Sequence, residues 1–261
     1  MSLFVAALII VGSAAAGAVA MVALTRFAPH GGRFADTQRA AGVFTVVGTG
    51  FAVVLAFVVL VAFQSYNRAT DAAETEAVAT VDLFDTAALL PPAAAERVRR
   101  ELVCYGRAVV EDEWPDMRES HASPVVDARV EQVLAAARPP LRRGAPGGEH
   151  FLTANATRAE ARSERLTEAR PFVPAPAWLV LGLGTLVVLT FVGLFADRGE
   201  GGLVAAAQMA AVVAILVSGL VLVAFLDAPY EGHSGSITPR AMRIALKSMP
   251  LAEPARCGAP V

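Results

Sequence analysis

Four stretches of the chain contain no Asp, Glu, Lys or Arg: Leu3–Leu24, Ala40–Phe63, Ala175–Ala196 and Leu203–Leu226. Each exceeds the roughly 20 residues that a helix needs to cross about 30 Å of hydrocarbon. Backbone groups in lipid must be satisfied within their own segment, so runs of this kind predict helices. Four spans follow, ordered two, then a polar stretch, then two. The predicted organisation is a transmembrane hairpin over residues 1–63, a soluble helical domain over 64–174, a second hairpin over 175–226 and a polar tail over 227–261. The fold class expected is all-α, with the second membrane helix extending into the soluble domain.

That extension is read from the second span. After Phe63, Gln64-Ser65-Tyr66-Asn67-Arg68-Ala69-Thr70 contains neither Gly nor Pro, and helical spacing continues through Tyr66, Ala69, Ala73, Ala77, Val81 and Phe84. No breaker appears before Pro91-Pro92, which predicts one helix, or a barely interrupted pair, from about residue 40 to about residue 89. Pro92 suits the first turn of the next helix, where Val98, Leu102, Tyr105 and Val109 define one buried face. That helix is expected to end near Trp114, because Pro115 disfavours α geometry in the residue before it. Glu111, Asp112 and Glu113 then lie at a helix C-terminus, opposing the dipole. Two readings stay open: a solvated acidic end, or a carboxylate, Glu113, held by an arginine from another element.

Ser123-Pro124 opens a short helix carrying Val126, Val130 and Val133, which Pro139-Pro140 is expected to end. A further helix is predicted from about 151 to 169, with charges on several faces. Pro171, Pro174 and Pro176 are expected to break it at the start of the third span, and Trp178 stands where an interfacial aromatic belongs. The first span carries the small-residue stripe Gly12, Ser13, Ala16, Gly17 and Ala20, expected to pack against the second helix of its hairpin. That span is also longer than a signal peptide's apolar core and has no basic residue before it, so it is expected to be retained. Gln208 is the only amide in the spans and is expected to bond to a neighbouring helix. The tail holds one amphipathic stretch, Pro239–Met249.

Composition sharpens this picture. The chain has 261 residues, 18% charged, with a net charge of −2 and a mean hydropathy of +0.53. The charge-free runs total 92 residues, so all 46 charges fall in the other 169, a 27% density typical of a soluble surface. Arginine supplies 21 of the 22 basic residues, Lys247 the other. The central segment is net acidic, with no basic block for nucleic acid. Cys104 and Cys257 are the only cysteines, and His30, His121, His150 and His233 are scattered. No metal centre or disulfide framework is indicated, and Cys104 reads as an inert, partly buried thiol. No nucleophile–base pair, phosphate loop or cofactor site is evident, so no enzyme activity and no cofactor are expected.

The residues Tyr66-Asn67, Glu76, Tyr105, Glu113-Trp114-Pro115, Arg165-Leu166, Pro174, Trp178 and Asp227-Ala228-Pro229-Tyr230-Glu231-Gly232 form a series. Together they resemble the bacterial bestrophin-like domain family, over nearly the whole chain. That resemblance implies the plan of bestrophins, pentameric anion channels whose second membrane helix lines the pore. It implies a homo-oligomer in the lipid bilayer with a small anion as permeant. It also implies an inner-membrane location with both termini and the central domain in the cytoplasm. Four arginines (Arg26, Arg33, Arg39, Arg198) flank one side of the spans and seven the other, the four in much shorter loops, so charge alone does not set the orientation. Only Asp227 and Glu231 stand where animal bestrophins have an acidic calcium clasp, and calcium gating is not expected.

Two stripes of the second span compete for the pore. Phe51, Leu55, Val59 and Phe63, four apart, would make apolar rings that gate by dewetting. Gly42, Thr45, Thr49, Ala52 and Ala56 would offer a smaller, mildly polar wall. One or both could instead pack on neighbouring helices or face lipid. The other function class is a non-conducting, membrane-anchored interaction or sensor protein.

Overall fold

The computed structural model describes residues 2–29, 33–197 and 201–258. Arg198 and His30 lie outside the described residues. The helices are α1 (Leu3–Phe27), α2 (Thr37–Thr86), α3 (Pro92–Ala108), α4 (Trp114–Asp116), α5 (Pro124–Arg142), α6 (Gly148–Glu168), α7 (Ala175–Leu194), α8 (Gly202–Asp227) and α9 (Arg240–Lys247). No strand occurs among the described residues. Helices α1, α7 and α8, and the first part of α2, are long and apolar enough to span a membrane. The chain is therefore an all-α membrane protein with the two-plus-two order of spans.

Contacts divide it into two compact units, Met1–Gln64 with Phe172–Asp227, and Ser65–Pro171 with Ala228–Val261. In the first, Ser2 caps α1 by accepting the Val5 N–H at 3.2 Å. Asp36 does the same for α2, accepting the Arg39 N–H at 2.9 Å. Helix α1 packs on α8, not on α2 as its hairpin position suggested. Of the small-residue stripe only Gly17 is shown at that contact, while Gly12, Ala16 and Ala20 are exposed. A β-carbon at Gly17 would come within 2.7 Å of the Val213 side chain and 3.5 Å of Met209. Small residues mark a close helix approach in lipid without saying which helix approaches.

Helix α2 runs 50 residues without a break and closes in a 3-10 turn, Ala87–Leu89. In the second unit, Val98, Leu102, Tyr105 and Val109 are all fully buried, the expected face of α3. The end of that helix differs from expectation. The chain winds on through a π turn, Val109–Glu113, then α4, then a 3-10 turn, Met117–Glu119, and stops at Ser120 in the left-handed region. The wider turn, closed by the Trp114 N–H on the Val109 carbonyl, displaces the carbonyl that a proline ring would otherwise strike. Pro115 is thereby absorbed, and Glu113 is turned fully inward. Pro139 and Pro140 likewise lie inside α5, which continues to Arg142. Their fixed φ is helical, and they forfeit only bonds in the last turn.

The two cysteines are not free thiols. Cys104 of α3 and Cys257 of the tail form a disulfide across a separation of 153 residues, with Cα atoms 5.5 Å apart. No local pattern announces a pair so distant in sequence. Two apolar cores fill this unit. One gathers Leu83, Val98, Leu102, Phe151 and Met249; the other gathers Ala69, Tyr105, Trp114, Met117, Tyr230 and Met242.

Candidate functional site

In the first unit the two stripes of α2 meet different surroundings. Phe51 is buried and lies against Gly184 of α7, so closely that a β-carbon on that glycine would overlap its ring. Leu55 reaches Gly219 of α8, where a β-carbon would stand 2.9 Å from its Cδ2. Phe44, Val58, Leu181, Val188 and Trp178 complete this cluster. Thr45, Thr49, Ala52 and Ala56 are exposed, and the Thr45 hydroxyl donates to the Ala41 carbonyl of its own helix at 2.9 Å.

The apolar stripe is not one face. A strict four-residue repeat drifts by about 40° per step on a helix of 3.6 residues per turn. Val59 is half-buried, and Phe63, about 120° from Phe51 by the same geometry, is exposed beside the Thr45 side. Gln208 is exposed on α8, and Ser218 donates to the Ala214 carbonyl of its own helix at 2.6 Å. The amide thus lies on the surface of the unit.

Asp227 closes α8. Its Oδ1 accepts the N–H groups of Phe172 and Val173 at 2.7 and 2.6 Å, just before Pro174 starts α7. A carboxylate that satisfies the backbone of an approaching strap in this way is occupied structurally.

The second unit centres on a buried ion network. Arg165 of α6 donates from Nε and Nη2 to both oxygens of Glu76 on α2, and from Nη2 to Glu113. Arg162, one turn earlier, donates to Glu113 Oε1 at 2.5 Å and pairs with Asp127 at 2.8 Å. Tyr105 donates its hydroxyl to Glu76. Arg165 also lies over the Trp114 ring at 5.2 Å. Glu76, Glu113 and Arg165 are fully buried. Of the two readings of the acidic end, Glu113 is held by arginines, while Glu111 stays exposed.

The inner carboxylates Glu76 and Glu113 are matched by the guanidiniums of Arg165 and Arg162, with Asp127 on the exposed rim, the arrangement under which buried charge is tolerated. Burial works to raise the Glu113 carboxyl, but Arg165 and Arg162 outweigh it and hold it below the usual carboxylate range. Burial also opposes the Arg165 charge, and Glu76 and Glu113 more than offset it. Burial, reinforced by Glu76, pushes the Tyr105 phenol well above its ordinary value. The network locks α2, α3 and α6 together.

The remaining motif residues surround it. Trp114 donates to the Ile237 carbonyl at 3.1 Å and meets Tyr230 edge-on at 5.5 Å. Tyr230 donates to the Ala69 carbonyl at 2.6 Å, and Tyr66 to the Gly235 carbonyl at 2.8 Å. Asn67 is exposed. Pro229 accepts the Ile237 N–H, and Gly232 takes a positive φ of 78° in the same turn. Sequence reasoning missed Arg158, which shares the buried face of α6 with Phe151, Ala154, Ala161 and Arg165. The available signal was an apolar helical stripe whose gaps are filled by arginines. Among the described residues no group of three His, Cys, Asp or Glu is arranged to hold a metal ion.

Residues 11–242 match the family model described as the Bestrophin-like domain. The chain belongs to the bestrophin-like family. Solved bacterial bestrophin homologues share the fold of this bestrophin-like chain. One substituted form from Klebsiella pneumoniae superimposes with a TM-score of 0.70 at 13% identity, covering 93% of this chain and 97% of that one. A second from the same organism, phased on zinc, gives 0.64 at 14%, covering 89% and 96%. No curated protein matches the bestrophin-like chain in sequence.

Proposed function

We propose that this bestrophin-like membrane protein is a homo-oligomeric anion channel, a pentamer on the family plan, with α2 of each subunit lining the central axis. One observation carries the choice of wall: Phe51 and Leu55 are packed against glycines of their own chain, whereas Thr45, Thr49, Ala52, Ala56 and Phe63 are exposed. The wall is assigned to that exposed side, with Val59 at its edge and Phe63 as its apolar ring. Threonine hydroxyls give an anion weak donors, and an apolar ring gives a dewetting constriction. The exposed Gln208 supports self-association, since an amide facing hydrocarbon gains by bonding to another helix. The polar portion, residues 64–174 with the tail 227–261, and both termini are placed in the cytoplasm on the family plan.

A second reading, a non-conducting interaction or sensor protein, is favoured by a groove of about 910 Å³ between the polar half of α2 and α9. Among the described residues of its wall, Glu74, Asp82 and Asp85 outnumber the one cation, Arg240, beside Val78 and Ile244, a lining suited to a basic amphipathic segment of a partner. Mass measurement in mild detergent, followed by chloride flux from liposomes, separates the two. A pentamer that passes chloride, with flux reduced several-fold by Thr49→Phe, supports the channel. A monomer or dimer without flux overturns it.

A further inference from the structure

We propose that the Cys104–Cys257 bond is a thiol–disulfide exchange site, a latch that a dithiol opens and that straps the C-terminal segment onto α3 and α5. The segment is held at several points. Met249 and Ala255 are buried, with Leu251 and Cys257 packed beside them on the core that contains Leu102. Arg107 of α3 donates to the Ala255 carbonyl at 3.0 Å, and Arg129 of α5 donates to the Gly258 carbonyl. The disulfide is the only covalent hold among them.

Its two sulfurs stand in unlike surroundings. Cys104 is 2% exposed, whereas Cys257 is half-buried. Both line a cavity of about 390 Å³ with Arg107, Glu111, Asp112 and Arg129. Arg107 Nη1 lies 3.7 Å from the Cys257 sulfur. A guanidinium beside a cysteine favours its thiolate and so stabilises the opened state.

The exchange balances as follows. A thiolate of the dithiol attacks Cys257; a new S–S bond forms as the bond to Cys104 breaks, and Cys104 leaves as a thiolate that takes up a proton. The second thiol, deprotonated, attacks its own partner sulfur in the mixed disulfide and displaces the Cys257 thiolate beside Arg107. The bridge gains two electrons, the dithiol becomes a disulfide, and its protons pass to the released sulfurs or to water. Opening frees the segment from 249 to 258.

The test uses the full chain in detergent without denaturant, over increasing ratios of reduced to oxidised dithiothreitol. Thiols are trapped in acid and counted by maleimide gel shift, and trypsin probes the exposed Arg256. Two thiols should appear together, and cleavage at Arg256 should rise at least tenfold. A bridge that stays closed at the highest ratio, yet opens once the protein is denatured, overturns the latch. So does opening that leaves cleavage unchanged. Arg129→Gln, which loosens the segment without touching sulfur, should lower the ratio needed for half-opening. Arg107→Gln loosens the segment too, by losing the bond to the Ala255 carbonyl, but it also removes the charge beside the Cys257 sulfur. It should therefore need a ratio roughly tenfold above that of Arg129→Gln, the usual scale of a hydrogen bond to a charged group. A ratio equal to or below that of Arg129→Gln removes Arg107 from the exchange.

Discussion

The two halves of α2 bury their inner faces by different means. In the membrane half a phenylalanine and a leucine fit against glycines of α7 and α8. In the polar half the buried positions include the alanines Ala69, Ala73 and Ala77, with Glu76 and Thr80 among them and Leu83 and Phe84 at the far end. Lipid tails are as apolar as leucine, so burial in lipid gains little from hydrophobicity, and helix association relies on shape. In water the alanines gain from burial and let neighbouring elements approach, while Glu76 selects its partners through Arg165 and Tyr105. One helix is thus held by steric fit at one end and by charge at the other, and substitutions at the two ends should fail differently.

The largest effect is expected in the polar half. Arg165→Met leaves Glu76 and Glu113 buried without their main counter-charge, a loss of about 3–5 kcal/mol. Thermal unfolding followed by fluorescence-detected chromatography should show a collapse in Tm, and an unchanged Tm would mean the network is ornamental. Tyr105→Phe removes one donor to a charged acceptor, about 1.5–3 kcal/mol. It carries a signature in pH as well. Because the folded phenol titrates above its ordinary value of 10.0, its contribution is complete below pH 10.0 and declines as pH rises beyond it. The phenylalanine variant should lose that alkaline decline.

At the membrane end, Gly184→Ala should cost about 1–3 kcal/mol by overpacking. Phe51→Leu in the same chain should restore part of it, and stability that simply adds across the two changes would dissolve the proposed fit. The smallest effect concerns acid. Glu113 titrates below the ordinary value of 4.5, so its stabilisation is present above that value and is lost as pH falls through the lower one. Melting curves of Glu113→Gln should therefore be flatter than wild type below pH 4.5, and parallel curves would remove Glu113 from the acid response.

The spans, the uninterrupted α2 and the buried face of α3 were legible because their periodicity is local. Phe51 and Leu55 share one side of the helix, but a four-residue repeat does not carry that side as far as Phe63, because a 3.6-residue turn drifts away from it. Partner choice was less legible. Gly17 announces a close approach but not that α8 makes it. Glu76 and Arg165 are 89 residues apart, and nothing near either names the other. The cysteine pair is more distant still. The path of the chain past Trp114-Pro115 is not legible in the sequence, because a π turn takes up a proline that an α turn would reject.

The claim that the Thr45 side of α2, and not the Phe51 side, lines an ion path is tested most directly by cysteine modification. Thr45→Cys, Thr49→Cys, Ala56→Cys and Leu55→Cys are each reconstituted in liposomes and treated with a charged methanethiosulfonate reagent while chloride flux is recorded. Flux should change sharply for the first three and stay constant for Leu55→Cys. Modification that alters flux at Leu55 and spares Thr45, Thr49 and Ala56 would contradict the account.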